Sequence, residues 1–317
     1  MYAHIIAKGI AVGLFCIGVC GALFACAIYS SVFDNVEIKP TGSFGVASLT
    51  MFEHCLYKGK TIEYPYDVFF PIKKDFTTCP LVLFAHGYLS QSTDYLFLLK
   101  ELASHGYVVV AINMPGLARV VKLADGTKVH GIFQSIDITK ENREQLIKQV
   151  IDQYSFMIDD FMSKCSGWSA MQQHFFAGID TLHVIALGHS LGGVTMLKNA
   201  STKKWIKKVI SLDGWYENIN KSALPSCTWL FLAAGVGGKS YLARMISVDT
   251  ALAKSVGEKI IIEKAGHGAF SDAILWNKVR RWFMARYILV GSIDAHEGVR
   301  EIRRIVLDWC SRLHNND

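Results

Sequence analysis

Hydrophobic and polar positions divide the chain into two unequal parts. From Gly9 to Tyr29 it reads GIAVGLFCIGVCGALFACAIY, an apolar run without a formal charge. As a helix rising ~1.5 Å per residue it would span about 30 Å, one bilayer core. Beyond it, short apolar runs alternate with stretches of helical period. The runs predict strands over 61–70, 81–85, 107–112, 182–187, 209–212, 229–233 and 259–263. Helical period predicts helices over 93–104, 139–163, 191–199, 241–255, 271–290 and 294–313. The last of these gathers Val299, Ile302, Ile305, Val306, Trp309 and Leu313 on one face. Residues 35–50 read as a linker and first strand. Continuous apolar strands alternating with helices predict an α/β domain with a mostly parallel central sheet and helices on both faces. Residues 31–317 are expected to form that domain, preceded by an N-terminal hydrophobic helix within residues 1–30.

Composition changes this picture little. The chain is 51% hydrophobic and 19% charged, which excludes disorder. A formal charge of +6 is spread along the sequence without a basic stripe, so no nucleic-acid partner is expected. Lys203, Lys204, Lys207 and Lys208 form a local basic cluster, read as a solvated edge in preference to a contact with anionic lipid. Five cysteines follow the apolar run (Cys55, Cys79, Cys165, Cys227 and Cys310) with no C-x-x-C pair, and read as small hydrophobes. The mean hydropathy of +0.26 is accounted for by Gly9–Tyr29 together with buried strands. That segment has three readings: a retained anchor, a signal peptide cleaved near Ala25 and Ala27, or a lipidation site at Cys26. Lys8 before it and Asp34 and Glu37 after it orient the body outward. Each reading leaves the domain membrane-anchored or exported.

The chemistry concentrates where a strand meets a helix. HVIAL runs into Gly188-His189-Ser190-Leu191-Gly192-Gly193 and then VTMLKNA, a G-x-S-x-G in the strand–turn–helix setting of a nucleophile elbow. The strained turn demands tiny residues two before and two after the serine, and Gly188 and Gly192 supply them. The helix behind Ser190 directs its positive end at developing negative charge.

A serine hydroxyl needs a histidine base, itself oriented by a carboxylate, in chain order Ser, acid, His. His267, His296 and His314 follow Ser190, and only His267 lies in a Gly-flanked loop just after a strand. For the acid, the strand WLFLAAG ends without a carboxylate, whereas VISLD ends in Asp213. Asp249 and Asp272 fall within helical patterns and are poorer candidates. The oxyanion hole is expected from the backbone amides of Leu191 and of Tyr88, the latter in the loop His86-Gly87-Tyr88. His86 and His189 read as structural histidines beside the site. No cofactor and no metal is called for.

At these residues the sequence resembles the plasma and intracellular type II platelet-activating-factor acetylhydrolases, and more loosely bacterial dienelactone-hydrolase-like esterases. The likeness rests on Pro40-Thr41-Gly42 with Gly45-Val46, the His86-Gly87 turn, the Gly188–Gly193 motif, Asp213-Gly214-Trp215 and His267-Gly268-Ala269-Phe270-Ser271-Asp272. It continues through Ile293-Asp294 and spans roughly residues 40 to 313. The chain departs from that pattern at Trp215-Tyr216-Glu217 and at Met114-Pro115-Gly116. The resemblance implies an α/β-hydrolase fold with Ser190, Asp213 and His267 as nucleophile, acid and base. It also implies release of short or oxidised sn-2 acyl chains from phospholipids, with the N-terminal segment at a membrane surface. Two alternatives stand beside it: a general short-chain carboxylesterase acting on soluble esters, and a catalytically silent binding protein.

Overall fold

A computed structural model describes residues 36–72, 79–131, 140–165, 178–214, 225, 227–237, 241–276 and 290–312. The apolar segment Gly9–Tyr29, with the N-terminal helix expected there, lies outside them, as do Trp215, His314 and most of the stretch 277–290. Among the described residues no helix is long and apolar enough to cross a membrane.

Eight strands form one sheet in the order β1-β2-β4-β3-β7-β8-β9-β10. They are β1 (Gly45–Tyr57), β2 (Lys60–Ile72), β3 (Cys79–Ala85), β4 (Val108–Ile112), β7 (Ile179–His189), β8 (Ile206–Leu212), β9 (Thr228–Ala234) and β10 (Gly257–Ile262). β2 is antiparallel to both β1 and β4, and every other pairing is parallel. The mostly parallel sheet expected from the sequence is therefore present.

Both faces are buried because the strands are apolar at successive positions, which point to opposite sides. Leu81, Leu83, Val108, Val110, Val184 and Ala186 enter one core, and Val82, Phe84, Val109, Ala111, Ile185 and Leu187 enter the other. The first face is covered by α2 (Lys140–Cys165), α3 (Leu191–Ala200) and α4 (Tyr241–Leu252). The second is covered by α1 (Leu96–Ser104) and α5 (Ala295–Ser311). On α5, Val299, Ile302, Ile305, Val306 and Trp309 are all buried, as the helical period requires. Cys55, Cys79 and Cys310 lie in these cores as free thiols.

Four sequence expectations need correction. β1 runs on to Tyr57, beyond the expected first strand, because it is an edge strand paired residue for residue with β2 and at most half-buried at alternate positions except at Cys55. The stretch from Ser271 does not begin as an α-helix: 3₁₀ turns occupy His267–Phe270 and Asp272–Leu275, and the Asp272 carboxylate is turned away to accept the Leu96 and Phe97 amides. A small hairpin, β5 (Val120–Lys122) with β6 (Lys128–His130), had no counterpart among the expected strands; the Asp125-Gly126 turn between them is its sequence signal. Lys208 is no solvated edge: it is buried, and its Nζ donates to the Trp309 carbonyl at 2.6 Å near the end of α5.

Candidate active site

In a parallel sheet the strand ends point one way, so residues just past the carboxyl ends of β7, β8 and β10 meet. Ser190 follows β7, Asp213 follows β8, and His267 opens the turn after β10. The first two extend the ladder by one bond each, Ser190 N–H to the Leu212 carbonyl at 3.0 Å and Asp213 N–H to the Leu232 carbonyl at 2.8 Å. Both have a positive φ, 54° for Ser190 and 48° for Asp213, in a region side chains rarely enter. Such strain persists only where surrounding structure over-determines it. Here a Cβ on Gly188 would strike the Gly192 carbonyl group, one on Gly192 the Ala85 carbonyl, and one on Gly214 the Ser190 carbonyl oxygen. The glycines thus let the backbone of the elbow close upon itself, which turns the Ser190 side chain out beyond the strand.

Ser190 Oγ lies 2.9 Å from His267 Nε2, and His267 Nδ1 lies 2.6 Å from Asp213 Oδ2. The other carboxylate oxygen, Oδ1, accepts the Ala234 amide at 3.1 Å. The Asp213 side chain is fully buried while that of His267 is 41% exposed, so the acid is shielded and the imidazole is open to an incoming molecule. The structure therefore brings together the serine, the carboxylate and the histidine picked from the sequence. The other acids are elsewhere: Asp249 pairs with Lys259 on the surface, and Asp272 caps α1.

The loop after β3 closes the other side. Gly87 packs so tightly on the nucleophile that an added Cβ would sit 3.1 Å from Ser190 Cβ. The Gly87 carbonyl accepts from His86 Nδ1 at 2.7 Å and from the Ser90 amide at 3.2 Å. That carbonyl shares a planar trans peptide with the Tyr88 N–H, so holding one fixes the opposite direction of the other. On the nucleophile's own side, Leu191 is the first residue of α3, and its amide has no carbonyl one turn back within the helix. These are the two amides expected to form an oxyanion hole.

Two buried histidines support this geometry. His86 Nε2 accepts the Met114 amide at 3.1 Å, so its proton is on Nδ1 and the ring is neutral. Burial pushes its pKa down to about 4. His189 is held well below the ordinary histidine range by burial and by His267 beside it. Tyr95 connects to His189, a contact no sequence signal pointed to, because the two residues are far apart in the chain.

These ionisations predict acid lability with a definite sign. Unfolded, His86 takes up a proton below pH 6.5, whereas folded it resists down to about 4. Its stabilisation is complete above 6.5 and falls by about 2 kcal/mol between pH 6.5 and 5. His189 acts in the same direction. Asp272 opposes them: burial raises its pKa to about 6, so acidification returns about 1 kcal/mol between pH 6 and 5. Urea unfolding should show lower stability at pH 5 than at pH 7, and a steeper drop in Asp272→Asn. A curve flat or rising towards pH 5 would mean that the two histidines are not held neutral.

Comparison with known proteins gives this site a setting. A family model described as chlorophyllase matches residues 41–200, and one described as platelet-activating factor acetylhydrolase, isoform II, matches residues 163–315. The second span contains Ser190, Asp213 and His267. Among curated proteins, the chain is 24% identical over 152 residues to a platelet-activating factor acetylhydrolase of Cavia porcellus, covering 43% of this chain and 35% of that protein. It is 24% identical over 168 residues to cutinase 2 of Thermobifida cellulosilytica, covering 53% and 49%. The chain thus spans a third to a half of the length of these curated relatives. Among solved structures, a ferulic acid esterase from Streptomyces cinnamoneus superposes with a TM-score of 0.66 at 16% identity, over 86% of this chain and 91% of that one. At that identity the shared property is the fold.

Proposed function

This chain belongs to the α/β-hydrolases of the chlorophyllase and platelet-activating-factor-acetylhydrolase kind, and from that premise we propose that it is a serine ester hydrolase acting through an acyl-enzyme. The observation that carries the reading is the continuous contact from Ser190 Oγ through His267 to Asp213, at 2.9 and 2.6 Å. Ser190 Oγ attacks the ester carbonyl as its proton passes to His267 Nε2. The oxyanion so formed accepts from the Leu191 and Tyr88 amides. Collapse breaks the ester bond, and His267 gives its proton to the departing alkoxide oxygen. Water then attacks the acyl-serine, His267 takes the water's proton and returns it to Ser190 Oγ, and the carboxylic acid leaves. Asp213 stays ionised and holds the imidazole with its proton on Nδ1.

The proposed substrate is a phospholipid carrying a short or oxidised sn-2 acyl chain, in line with the acetylhydrolase likeness. Residues 31–317 form the catalytic domain, and Gly9–Tyr29 delivers it to or across a membrane, anchored or exported. The likeness to a cutinase favours one second reading, a carboxylesterase acting on esters other than phospholipids.

A fluorophosphonate probe should label the wild type at Ser190 and leave Ser190→Ala unmodified; labelling that survives the substitution removes Ser190 from its role. The substrate is tested with phosphatidylcholine vesicles bearing acetyl or long sn-2 chains beside p-nitrophenyl butyrate. Preference for the acetyl phospholipid supports the first reading. Hydrolysis of the nitrophenyl ester alone supports the second.

A further inference from the structure

Of the five groups in the site, Ser190 and Asp213 sit directly on strand ends and Leu191 opens α3, whereas Tyr88 and His267 are carried by loops after β3 and β10. Loops are the more mobile parts of a fold, and loop-borne groups hold catalytic geometry less well than groups on strands or helices. We propose that Tyr95 and His189 form a buried positioning relay that ties the oxyanion loop to the backbone of the general base, so that the two loop-borne parts of the site keep one spacing. This rests on the reading of Ser190 as the nucleophile.

Five atoms along the relay determine where each hydrogen lies. The His267 carbonyl can only accept, so His189 Nε2, 3.0 Å away, carries the proton. His189 Nδ1 is then bare and accepts from the Tyr95 hydroxyl at 2.9 Å. The same hydroxyl oxygen accepts the Gly87 amide at 3.2 Å. The sense of donation therefore runs without a break from Gly87 N–H through Tyr95 and His189 to the His267 carbonyl. Tyr95 is wholly buried and His189 nearly so, which leaves little room for water to substitute for either. Burial also keeps the Tyr95 phenol protonated.

The relay reaches both loops at atoms that matter. Gly87 N–H is one peptide before the Gly87–Tyr88 plane that carries the expected oxyanion donor, and His86 holds the next carbonyl. Tyr95 and His86 thus restrain the peptides on either side of Gly87 Cα. At the other end the restrained carbonyl belongs to His267 itself. The His189 ring lies 4.7 Å from the His267 ring, tilted 36°, so a neutral neighbour stands beside the imidazole that becomes positive during the reaction. A second positive charge at that distance would oppose proton transfer from Ser190.

Substitutions separate the arms. Tyr95→Phe removes only the hydroxyl. His189→Asn keeps an acceptor for Tyr95 and loses the reach to His267, while His189→Gln keeps that reach and loses Tyr95. Each is expected to lower kcat for p-nitrophenyl acetate, and the rate of fluorophosphonate labelling per folded molecule, about 10- to 100-fold with KM little changed. The double variant Tyr95→Phe/His189→Gln should lose no more than the worse single one, because both break one chain. A lowered unfolding midpoint with kcat unchanged per titrated Ser190 would reduce the pair to a structural role and overturn the proposal. Additive losses would overturn the coupling. Imidazole ¹⁵N spectra of the wild-type protein test the relay without activity. His189 must appear as the Nε2–H tautomer, and its Nδ1 resonance must move in Tyr95→Phe. An Nδ1–H tautomer or an imidazolium overturns the relay. A wild type that fluorophosphonate does not label, yet shows these spectra, overturns the esterase reading alone.

Discussion

Asp213→Asn should lower kcat by about 10⁴-fold while leaving KM and the unfolding midpoint near their wild-type values. The reason lies in the second oxygen of the carboxylate. Asp213 Oδ1 accepts the Ala234 amide at 3.1 Å, and Oδ2 accepts His267 Nδ1–H at 2.6 Å. An asparagine has one acceptor and one donor for these two places. If its oxygen stays with Ala234 N–H, its NH₂ faces His267 and forces the ring to carry its proton on Nε2. That proton then points at Ser190 Oγ, 2.9 Å away, and the imidazole can no longer accept. If the amide flips, two N–H groups confront each other in a fully buried place. The clash disfavours the flipped amide, and the arrangement that remains disables the base without removing volume. Single-turnover kinetics with p-nitrophenyl acetate would show the loss in acylation. Asp249→Asn, on the surface beside Lys259, should behave as wild type. Turnover of Asp213→Asn within tenfold of wild type would show that the acid is another residue.

The place of this acid shows what sequence could and could not reveal. The strand WLFLAAG carries no carboxylate at its end, and the amide of its Ala234 serves Asp213 from the neighbouring strand. The acid was legible because VISLD ends a continuous apolar strand in a charge. Ser190 was legible because glycines must flank a turn this tight, and His267 because it follows the strand Gly257–Ile262 in a Gly-flanked loop. Seven of the eight strands of the sheet were legible as apolar runs, and β3, β4, β8 and β9 are buried at nearly every position. The extent of β1 was not, since an edge strand mixes exposed and half-buried positions.

What stayed hidden depends on contacts between residues distant in the chain. Tyr95 lies at the start of α1 in no motif, and only the fold brings its hydroxyl to His189 and Gly87. The Asp272 carboxylate looks like a motif residue in sequence and a helical one by period. In the structure it caps α1, the helix that follows Tyr95, from the turn that follows His267. The last residue of that motif thus acts on the framework of the site, one turn away from its chemistry.

Arg303→Met should destabilise the domain by about 3–5 kcal/mol, the cost of leaving one member of a buried ion pair alone. Arg303 Nη1 lies 3.0 Å from Glu101 Oε2, and the two side chains are 6% and 1% exposed. The guanidinium also donates to the Phe97 carbonyl at 3.0 Å and 2.8 Å and to the Lys39 carbonyl at 2.9 Å. Glu101 in turn accepts the Thr41 amide at 3.0 Å and contacts the Thr41 hydroxyl and His105. One buried pair therefore joins α5, α1 and the Pro40-Thr41-Gly42 segment, and gives the Pro-Thr-Gly likeness a structural meaning. Methionine matches the apolar stem of arginine but takes the buried cation from the carboxylate and the guanidinium donors from two carbonyls. The double variant Glu101→Gln/Arg303→Met should lose less than the sum of the two single losses, because the stranded charge is gone. Urea unfolding of the four proteins at pH 7 measures this coupling, and strict additivity would deny the pair its role. Fluorophosphonate labelling of Ser190 in folded Arg303→Met should keep the wild-type rate, because Arg303 bonds to Glu101 and to the Phe97 and Lys39 carbonyls and to no member of the site or the relay.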